Sequence, residues 1–204
     1  MKNLPKSNYT LEQTDTEILP ITTNEGLTVN SIPKNLAFDF DYTCNFKCPS
    51  CRTEVIKVSN FQKQRQKELA KLLLRNIFGR STSQKMVVEI SGGGEVFASD
   101  MLMDILSNID TQQFPNLEIH LGTNATLVPK RWRRIFNVEH FIKKITVSID
   151  AGSKEVYETV RRGGQWEHLV AGMEFLRDKK AQLGFELNGR IIFQQQNFRD
   201  SQKF

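Results

Sequence analysis

The chain has 204 residues, and its 28 Lys+Arg against 23 Asp+Glu give a formal net charge of +5. A hydrophobic fraction of 39% with 25% charged residues is typical of a globular protein and excludes a chain that is disordered throughout. No apolar run approaches the roughly 20 residues that span a bilayer, and the N-terminal segment lacks the apolar core of a secretory signal. We therefore expect a cytoplasmic protein with no membrane partner.

Residues 1–34 are polar, contain three prolines and show little periodicity, so we predict an irregular lead-in with one short strand at residues 27–29. From residue 35 onward, apolar alternation and helical periodicity follow each other regularly. Strands are predicted at residues 36–40, 86–90, 117–121, 144–149 and 185–194. Helices are predicted between them, at residues 61–78, at 101–109, from Pro129, at 153–161 and from Trp166.

Five β/α repeats predict an α/β fold with a parallel sheet, because parallel neighbours need crossover connections of the length that helices supply. Each helix should cover the sheet with one apolar face. The residues predicted for these faces are Leu69, Leu72, Leu73 and Ile77 on the first helix, Met101, Leu102, Ile105, Leu106 and Ile109 on the second, and Trp166, Leu169, Val170, Met173 and Leu176 on the last. Folds of this kind bind ligands at the carboxyl ends of their strands.

A nucleic-acid partner is suggested only by Trp132, which lies among the arginines at 131, 133 and 134. Such a segment combines positive charge with a ring that stacks on bases. One basic helix face with one tryptophan is more often a solvated surface. We therefore predict a solvated face here and no nucleic-acid partner.

The cysteines are the most informative residues. There are three, Cys44, Cys48 and Cys51, all within eight residues and spaced C-x3-C-x2-C. An odd number packed so tightly is a poor disulfide framework, and in a reducing compartment it indicates a soft metal or an iron–sulfur cluster. The spacing permits three thiolates around one 4Fe–4S cube, which leaves the fourth iron without a protein ligand. A zinc loop with a fourth ligand from His, Asp or Glu remains the alternative.

Polar residues and glycines follow the predicted strands. Gly93 and Gly94 lack Cβ atoms, so a ligand can approach their backbone closely. Glu95 then offers a carboxylate suited to an ammonium group. Asn124 follows the third strand and Ser148 lies at the end of the fourth, so all these groups should meet at one edge of the sheet.

The cysteine loop after the first strand, followed about forty residues downstream by Gly-Gly-Glu, resembles the radical S-adenosylmethionine (SAM) enzymes. The segments CNFKCPSCR, ISGGGEVF, TNATLV, VSIDAGSKEVYETVRRGG and NGRIIFQQQNF are most similar to the branch that carries SPASM or Twitch C-terminal extensions. This resemblance implies a partial (β/α) barrel of the radical SAM type over residues 35–204. It also implies an enzyme that holds a 4Fe–4S cluster and SAM.

The resemblance assigns roles to particular residues. Cys44, Cys48 and Cys51 would be the cluster ligands, and the segment from Gly93 through Gly94 to Glu95 would hold the methionyl amine of SAM. Asn124, Ser148 and Arg161 would contact the rest of SAM, with the Arg161 guanidinium suited to the methionyl carboxylate. The cluster would reductively cleave SAM to a 5′-deoxyadenosyl radical that abstracts hydrogen. An electron donor such as flavodoxin or ferredoxin, and a peptide, protein or small-metabolite substrate, are implied.

The chain also departs from that family. Ser50, Val96 and Ala125 stand where an aromatic residue, a proline and a glycine are frequent. Five β/α units are visible where the family core has six, and no cysteines remain for the auxiliary clusters of SPASM or Twitch extensions. We therefore expect a core truncated at its C-terminus, with an incomplete sixth unit and no auxiliary-cluster domain. A non-catalytic iron–sulfur or SAM-binding remnant and a zinc-binding interaction domain are the alternatives.

Overall fold

The computed structural model describes residues 21–22, 28–29, 32–56, 58–91 and 93–203. The chain divides into two compact units, Met1–Ser31 and Ile32–Phe204. In the first unit, strand β1 (Ile21–Thr22) pairs antiparallel with β2 (Thr28–Val29). Strand β2 overlaps the strand predicted at residues 27–29, and β1 is a second strand where only one was predicted. The other residues of the predicted irregular lead-in up to residue 31 lie outside the described residues.

The second unit is built on a five-stranded sheet. In it β3 (Asn35–Phe38), β4 (Met86–Ile90), β5 (Leu117–Thr123), β6 (Ile142–Ser148) and β7 (Glu186–Arg190) lie side by side in chain order. Every neighbouring pair is parallel, and crossovers through helices make this possible. The predicted α/β class with five parallel β/α units is therefore confirmed.

The crossover helices are α1 (Asn60–Asn76), α2 (Asp100–Ser107), the short α3 (Val128–Arg131), α4 (Lys154–Val160) and α5 (Trp166–Leu183). Three 3-10 segments accompany them, at Thr111–Gln113, Trp132–Phe141 and Asp200–Lys203. Local signals set the helix ends. A capping box of Ser59 and Gln62 begins α1, and Gly184 ends α5 with a left-handed φ of 76°.

The two faces of the sheet differ in character. Along β4 and β5, every second side chain is buried against the helices and forms the core. The intervening side chains, among them Glu89 and His120, point to a face that is half-exposed and polar. The core sits between one face of the sheet and the helices. In the described part of the chain, the side chains of the opposite face are exposed or half-exposed.

Trp132 corrects a sequence-based prediction. It is 3% exposed rather than solvated, because its ring packs against Phe97, Phe175 and Phe185. The indole stacks on Phe97 at a ring separation of 6.2 Å, and its Nε1 donates to Glu139 at 2.6 Å. The basic residues around it led us to predict a surface face, but the ring packs into the core.

Smaller corrections concern the ends of elements. Leu69 and Val170 were predicted on buried helix faces, yet they are 38% and 39% exposed. Strand β7 covers only Glu186–Arg190, a part of the predicted residues 185–194, and β6 begins at Ile142, two residues earlier than predicted. Among the helices of the described residues, none combines the length and apolar character needed to cross a membrane.

Candidate metal and cofactor site

The cysteine loop follows β3 and is held in place by backbone hydrogen bonds. The amides of Cys51 and Arg52 both donate to the Cys48 carbonyl at 2.9 Å, which closes a turn between the second and third cysteines. The Lys47 amide donates to the Arg162 carbonyl at 2.9 Å and ties the loop to the segment after α4. Cys44 is half-buried, Cys48 buried and Cys51 exposed, and all three are free thiols.

Asp41 anchors the start of this loop. Its carboxylate is 7% exposed and accepts hydrogen bonds from the Thr43 amide at 2.9 Å and the Thr43 hydroxyl at 2.6 Å. The Ser99 hydroxyl, which caps α2, also donates to it, and Gln66 of α1 donates at 3.2 Å. One buried carboxylate thus fixes the loop to two helices.

The glycine turn after β4 lies directly against the cysteine loop. The Glu95 amide donates to the Thr43 carbonyl at 2.8 Å. A Cβ atom on Gly94 would stand 2.6 Å from that same carbonyl oxygen, too close for any side chain. Gly93 donates its amide to Asp39. The absence of side chains at this turn therefore allows the two loops to meet.

Glu95 is 2% exposed, and its carboxylate accepts three hydrogen bonds. The donors are the Thr123 hydroxyl at 2.6 Å, the Asn124 amide at 2.6 Å and the Phe97 amide at 3.1 Å. Burial raises the pKa of the Glu95 carboxyl, and these donors oppose the rise. An ionised carboxylate has about four acceptor positions, so one remains for the ammonium group that the sequence analysis assigned to Glu95.

Asn124, for which the resemblance predicts a contact with SAM, also holds two segments of the chain together. Its Nδ2 donates to Asn45 Oδ1 at 2.9 Å, and its Oδ1 accepts from the Thr126 amide at 3.1 Å and hydroxyl at 2.7 Å. Asn124 also lines the cavity described below. Its side chain links the end of β5 to the cysteine loop, which is a positioning role.

Arg161 lies at the end of α4 and pairs with a buried carboxylate. Its Nη1 lies 3.1 Å from Asp150 Oδ2, with side-chain exposures of 13% and 1%. Its Cζ stands 5.7 Å from the centre of the Phe46 ring, inside the cysteine loop. The buried Nε has no hydrogen-bond partner among the described residues. Arg161 is therefore fixed beside the cysteines with donor capacity left for an anionic ligand.

Arg52 was missed by the sequence analysis. Its guanidinium donates to the Tyr42 carbonyl at 2.6 Å, to Cys51 Sγ at 3.3 Å and to the Gly93 carbonyl. It therefore joins the cysteine loop to the glycine turn and places a positive charge beside a predicted cluster ligand. Its position directly after the third cysteine was the signal that could have revealed it.

These groups line one cavity of about 460 Å³, the cofactor cavity. This volume lies within the range of small-molecule sites. Eight of the nine predicted site residues line the cavity, and Gly93, the ninth, lies in the adjoining turn. The eight are Cys44, Cys48, Cys51, Gly94, Glu95, Asn124, Ser148 and Arg161. Further lining residues that the sequence analysis did not assign include Phe46, Ser91, Thr123 and Arg190.

The electrostatic setting of the thiols has two opposing parts. Burial raises the pKa of both the Cys44 and Cys48 thiols, which disfavours the thiolate that a metal needs. The positive charges of Arg52 near Cys44 and of Arg161 near Cys48 lower these pKa values again. The guanidinium groups thus favour thiolates at a site that burial alone would keep protonated.

The donor set fits an iron–sulfur cluster with an open iron. Three thiols line a single cavity that also holds a buried carboxylate and a guanidinium, the groups that an amino-acid ligand requires. Within the described ranges, no three His, Cys, Asp or Glu side chains already converge as they would around a single metal ion. The three sulfur atoms instead border a space of cofactor size.

A comparison with protein families decides the relationship. The sequence pattern of the radical SAM superfamily matches residues 40–187, most of the chain. The chain belongs to the radical SAM superfamily. Membership implies SAM and an iron–sulfur cluster as cofactors, in agreement with the thiols, glycine turn and buried carboxylate found in one cavity.

Among solved structures, 36 chains match this radical SAM chain. Native anSMEcpe with bound AdoMet and Cp18Cys peptide shares 18% identity at a TM-score of 0.45, over 76% of this chain and 42% of that one. Native anSMEcpe with bound AdoMet shares 17% identity at a TM-score of 0.43, over 76% of this chain and 43% of that one. The match therefore spans less than half the length of either structure. No curated protein sequence matches.

Proposed function

We propose that this chain is the catalytic core of a radical SAM enzyme that reductively cleaves SAM at a 4Fe–4S cluster. The observation that carries the proposal is the single cavity lined by all three cysteines together with Gly94, Glu95 and Arg161. In this assignment Cys44, Cys48 and Cys51 would hold the cluster, and one iron would be left open to the methionyl group of SAM. When bound, these cofactors supply a one-electron cleavage of the sulfonium that gives methionine and a 5′-deoxyadenosyl radical for hydrogen abstraction.

The residues of the chain bind and orient SAM in this proposal. The Gly93–Gly94 backbone and the free acceptor position of Glu95 receive the methionyl ammonium, while Arg161 receives the carboxylate. The three hydrogen-bond donors of Glu95 and the ligand ammonium favour its ionised form, in opposition to burial, which raises the pKa of this carboxyl. Ser148, whose side chain makes no hydrogen bond among the described residues, is left available for the ribose or carboxylate of SAM.

We further propose that the reaction modifies a peptide or protein. The support is the similarity of the segments around Cys44–Cys51, Gly93–Glu95 and Arg161 to the SPASM or Twitch branch. A small metabolite is the alternative substrate. A flavodoxin or ferredoxin would supply the electron, since SAM cleavage requires a low-potential donor.

The test is anaerobic iron–sulfur reconstitution followed by a dithionite-driven assay for 5′-deoxyadenosine. We expect about four irons per chain, counting one cubane cluster, and product that depends on both dithionite and SAM. Cys48→Ala should lose the cluster and the product together. Cys48 is buried and lies in a turn that its carbonyl, not its thiol, closes, so the variant keeps the fold and serves as a matched control.

The alternatives give different results in the same assay. A cluster with bound SAM but no 5′-deoxyadenosine would indicate a non-catalytic remnant. Stoichiometric zinc with no iron uptake would indicate a zinc-binding domain, and either result would overturn the proposed enzymatic function.

A further inference from the structure

The sheet face opposite the helices carries a row of charged side chains. Glu89 on β4, His120 on β5, Lys144 on β6 and Glu186 on β7 are successive partners across the four strands. They alternate with the buried residues and therefore point away from the helices. The side chains of the row are exposed or half-exposed, so an unpaired charge among them is solvated until a ligand covers it.

The acids in this row already have hydrogen-bond donors. Glu89 accepts from the Ser91 hydroxyl at 3.0 Å, and Glu186 accepts from Asn188 Nδ2 at 2.7 Å. His120 faces Glu118 on its own strand, at 4.0 Å. By contrast, the side chains of Lys144 and of Arg190 at the end of β7 make no hydrogen bond or ion pair with any described residue. Two cations on this face are left without a counter-charge from the described part of the chain.

These two cations border one small pocket of about 100 Å³. Its other walls include Glu89, Ser91, His120 and Thr146. Three of its residues, Ser91, Gly122 and Arg190, also line the cofactor cavity, so the two spaces adjoin. A molecule anchored in the small pocket can therefore extend into the space beside the cofactor.

We propose that this pocket is the substrate-anchoring site and that it binds a carboxylate group of the substrate through Lys144 and Arg190. The proposal rests on the proposed radical SAM function, because it identifies the cofactor cavity as the reacting end. A carboxylate of two oxygens accepts from both cations, and the Thr146 hydroxyl supplies a further donor, whereas the Ser91 hydroxyl already donates to Glu89. Arg190 lies opposite Ser148 in the register of β6 and β7, and Lys144 lies four residues earlier on β6, so the carboxylate would be held between these two positions.

The charge of Glu89 should favour one kind of substrate carboxylate over another. It lies on β4, on the opposite side of the pocket from Lys144 and Arg190. A zwitterionic amino-acid end would place its ammonium toward Glu89 and its carboxylate toward the cations. A plain carboxylic acid, such as an acidic side chain, would gain nothing from Glu89 and would meet some repulsion.

His120 provides a direct reporter of the pocket. The chain has three histidines, so the ring C–H signals in a proton NMR spectrum are few, and His120→Gln identifies the signal of the pocket. The anaerobically reconstituted chain is titrated with sodium acetate at constant pH and ionic strength. We expect the His120 signal to shift and saturate, while the signals of His140 and His168 stay in place.

Two further probes identify the source of the carboxylate. Glycine tests a zwitterion, and methylammonium chloride tests the ammonium alone. Half-saturation by glycine at a lower concentration than acetate indicates an amino-acid end. Half-saturation by acetate at an equal or lower concentration indicates a plain carboxylic acid.

Variants connect the response to the two cations. Lys144→Gln and Arg190→Gln should each raise the half-saturating acetate concentration about tenfold, the equivalent of about 1.4 kcal/mol. Lys143→Gln is the matched control, because Lys143 is the neighbouring exposed lysine and lies outside the pocket. It should leave the titration unchanged.

Three results would overturn the proposal. These are a His120 shift that never saturates, a titration unaffected by both charge-removing variants, and displacement of acetate by added SAM. The last result would assign the cations to the cofactor. The titration is independent of 5′-deoxyadenosine formation, so loss of the acetate response with intact SAM cleavage refutes the anchor alone. Absence of SAM cleavage with an intact acetate response refutes the proposed function instead.

Discussion

A few side chains in this radical SAM core connect elements that are distant in the sequence. Asp41 joins the cysteine loop to α1 and α2, and Asp150 joins Arg161 to the segment after β7 by accepting from the Ile192 amide at 2.8 Å. Asp150 does so with a left-handed φ of 60°, an uncommon conformation for a residue other than glycine. Such residues place the predicted cofactor ligands. Their removal should alter the site more than the fold.

The contact between Arg52 and Cys51 can be tested by substitution. Arg52→Gln removes the guanidinium that contacts Cys51 Sγ at 3.3 Å. Positive charge and hydrogen bonds to sulfur stabilise the reduced state of a cluster. We expect the reduction potential of the reconstituted chain to fall by about 60 mV, a tenfold change for a one-electron couple.

A redox titration followed by electron paramagnetic resonance measures this potential. Arg52→Lys keeps the charge but loses the planar fork, so an intermediate shift is expected. Arg177→Gln, on the exposed surface of α5, is the control and should show the wild-type potential. An unchanged potential in Arg52→Gln would show that the contact with Cys51 has no electronic effect.

The hydrogen bonds of the Glu139 carboxylate should make the free energy of unfolding depend on pH. Burial raises the pKa of its carboxyl, but donation from Trp132 Nε1 and from Lys179 Nζ at 3.0 Å outweighs burial and lowers the pKa below its ordinary value of 4.5. A carboxylate with a lowered pKa stabilises the folded state above its ordinary pKa. That stabilisation is lost as the pH falls through the folded-state value.

Glu139→Gln should therefore lower the free energy of unfolding at pH 7 by about 1–3 kcal/mol. It should also flatten the loss of stability as the pH falls from 4.5. Urea unfolding at a series of pH values measures both effects. Glu174→Gln, on the exposed side of α5, is the control, and a slope equal to that of the control would contradict the assignment.

At the scale of elements, α5 packs unusually close to the turn after β5. Gly172 is buried in α5, and a Cβ atom there would stand 2.9 Å from the carbonyl carbon of Ala125 and 3.1 Å from its Cβ. Ala125 itself has a left-handed φ of 64°. The turn therefore has a backbone conformation that favours glycine, the residue that is frequent at position 125 in the family. Gly172 leaves room for the Ala125 methyl group because Gly172 has no side chain.

Gly172→Ala should force α5 away from this turn and lower the free energy of unfolding by about 1–3 kcal/mol. Gly184→Ala is the matched control. It has a φ of 76° but no atom within 4 Å of the added Cβ, so only backbone strain of about 1–2 kcal/mol applies.

Chemical unfolding of the two variants gives the comparison. The nearest contact of the added Cβ at Gly172 is the Ala125 carbonyl group, which remains when Ala125 is replaced by Gly, so that second substitution should restore only a small part of the lost stability. A loss of stability in Gly172→Ala no larger than that in Gly184→Ala would refute the packing explanation.

At the scale of the whole molecule, the candidate site is assembled from the ends of all five parallel strands. The cavity receives residues from the segments after β3, β4, β5 and β7 and from the end of β6. A ligand held by so many segments should bind only the folded chain. Its binding free energy then adds to stability.

We expect SAM at one hundred times its dissociation constant to add about 2.7 kcal/mol to the stability of the reconstituted chain. For a protein of this size, that corresponds to a rise in Tm of about 5–10 °C. Anaerobic thermal scans at a fixed rate measure the shift. Cys48→Ala, which should lack the cluster, should show a much smaller rise, and an equal rise would place SAM binding apart from the cysteines.

The order of strands and helices along the chain follows from local patterns of apolar residues. Strand β4 was predicted with its observed bounds, and the faces of α2 agree with the buried residues Met101, Leu102, Ile105 and Leu106. Periodicity is a property of neighbouring residues, so a single sequence contains it. The parallel arrangement then placed eight of the nine predicted residues along one cavity. The prediction of SAM and cluster contacts for these residues stays a prediction.

What the sequence by itself determined is the succession of β/α units, the spacing of the three cysteines and the polar residues at the strand ends, because each depends only on nearby positions. The tertiary structure alone decided which charges of the described residues are paired and which are free. Trp132 enters the core, Arg52 reaches Cys51, and Lys144 stays without a partner beside Glu186. Such outcomes depend on the packing of segments that are far apart in the chain, and composition and spacing do not encode those distances.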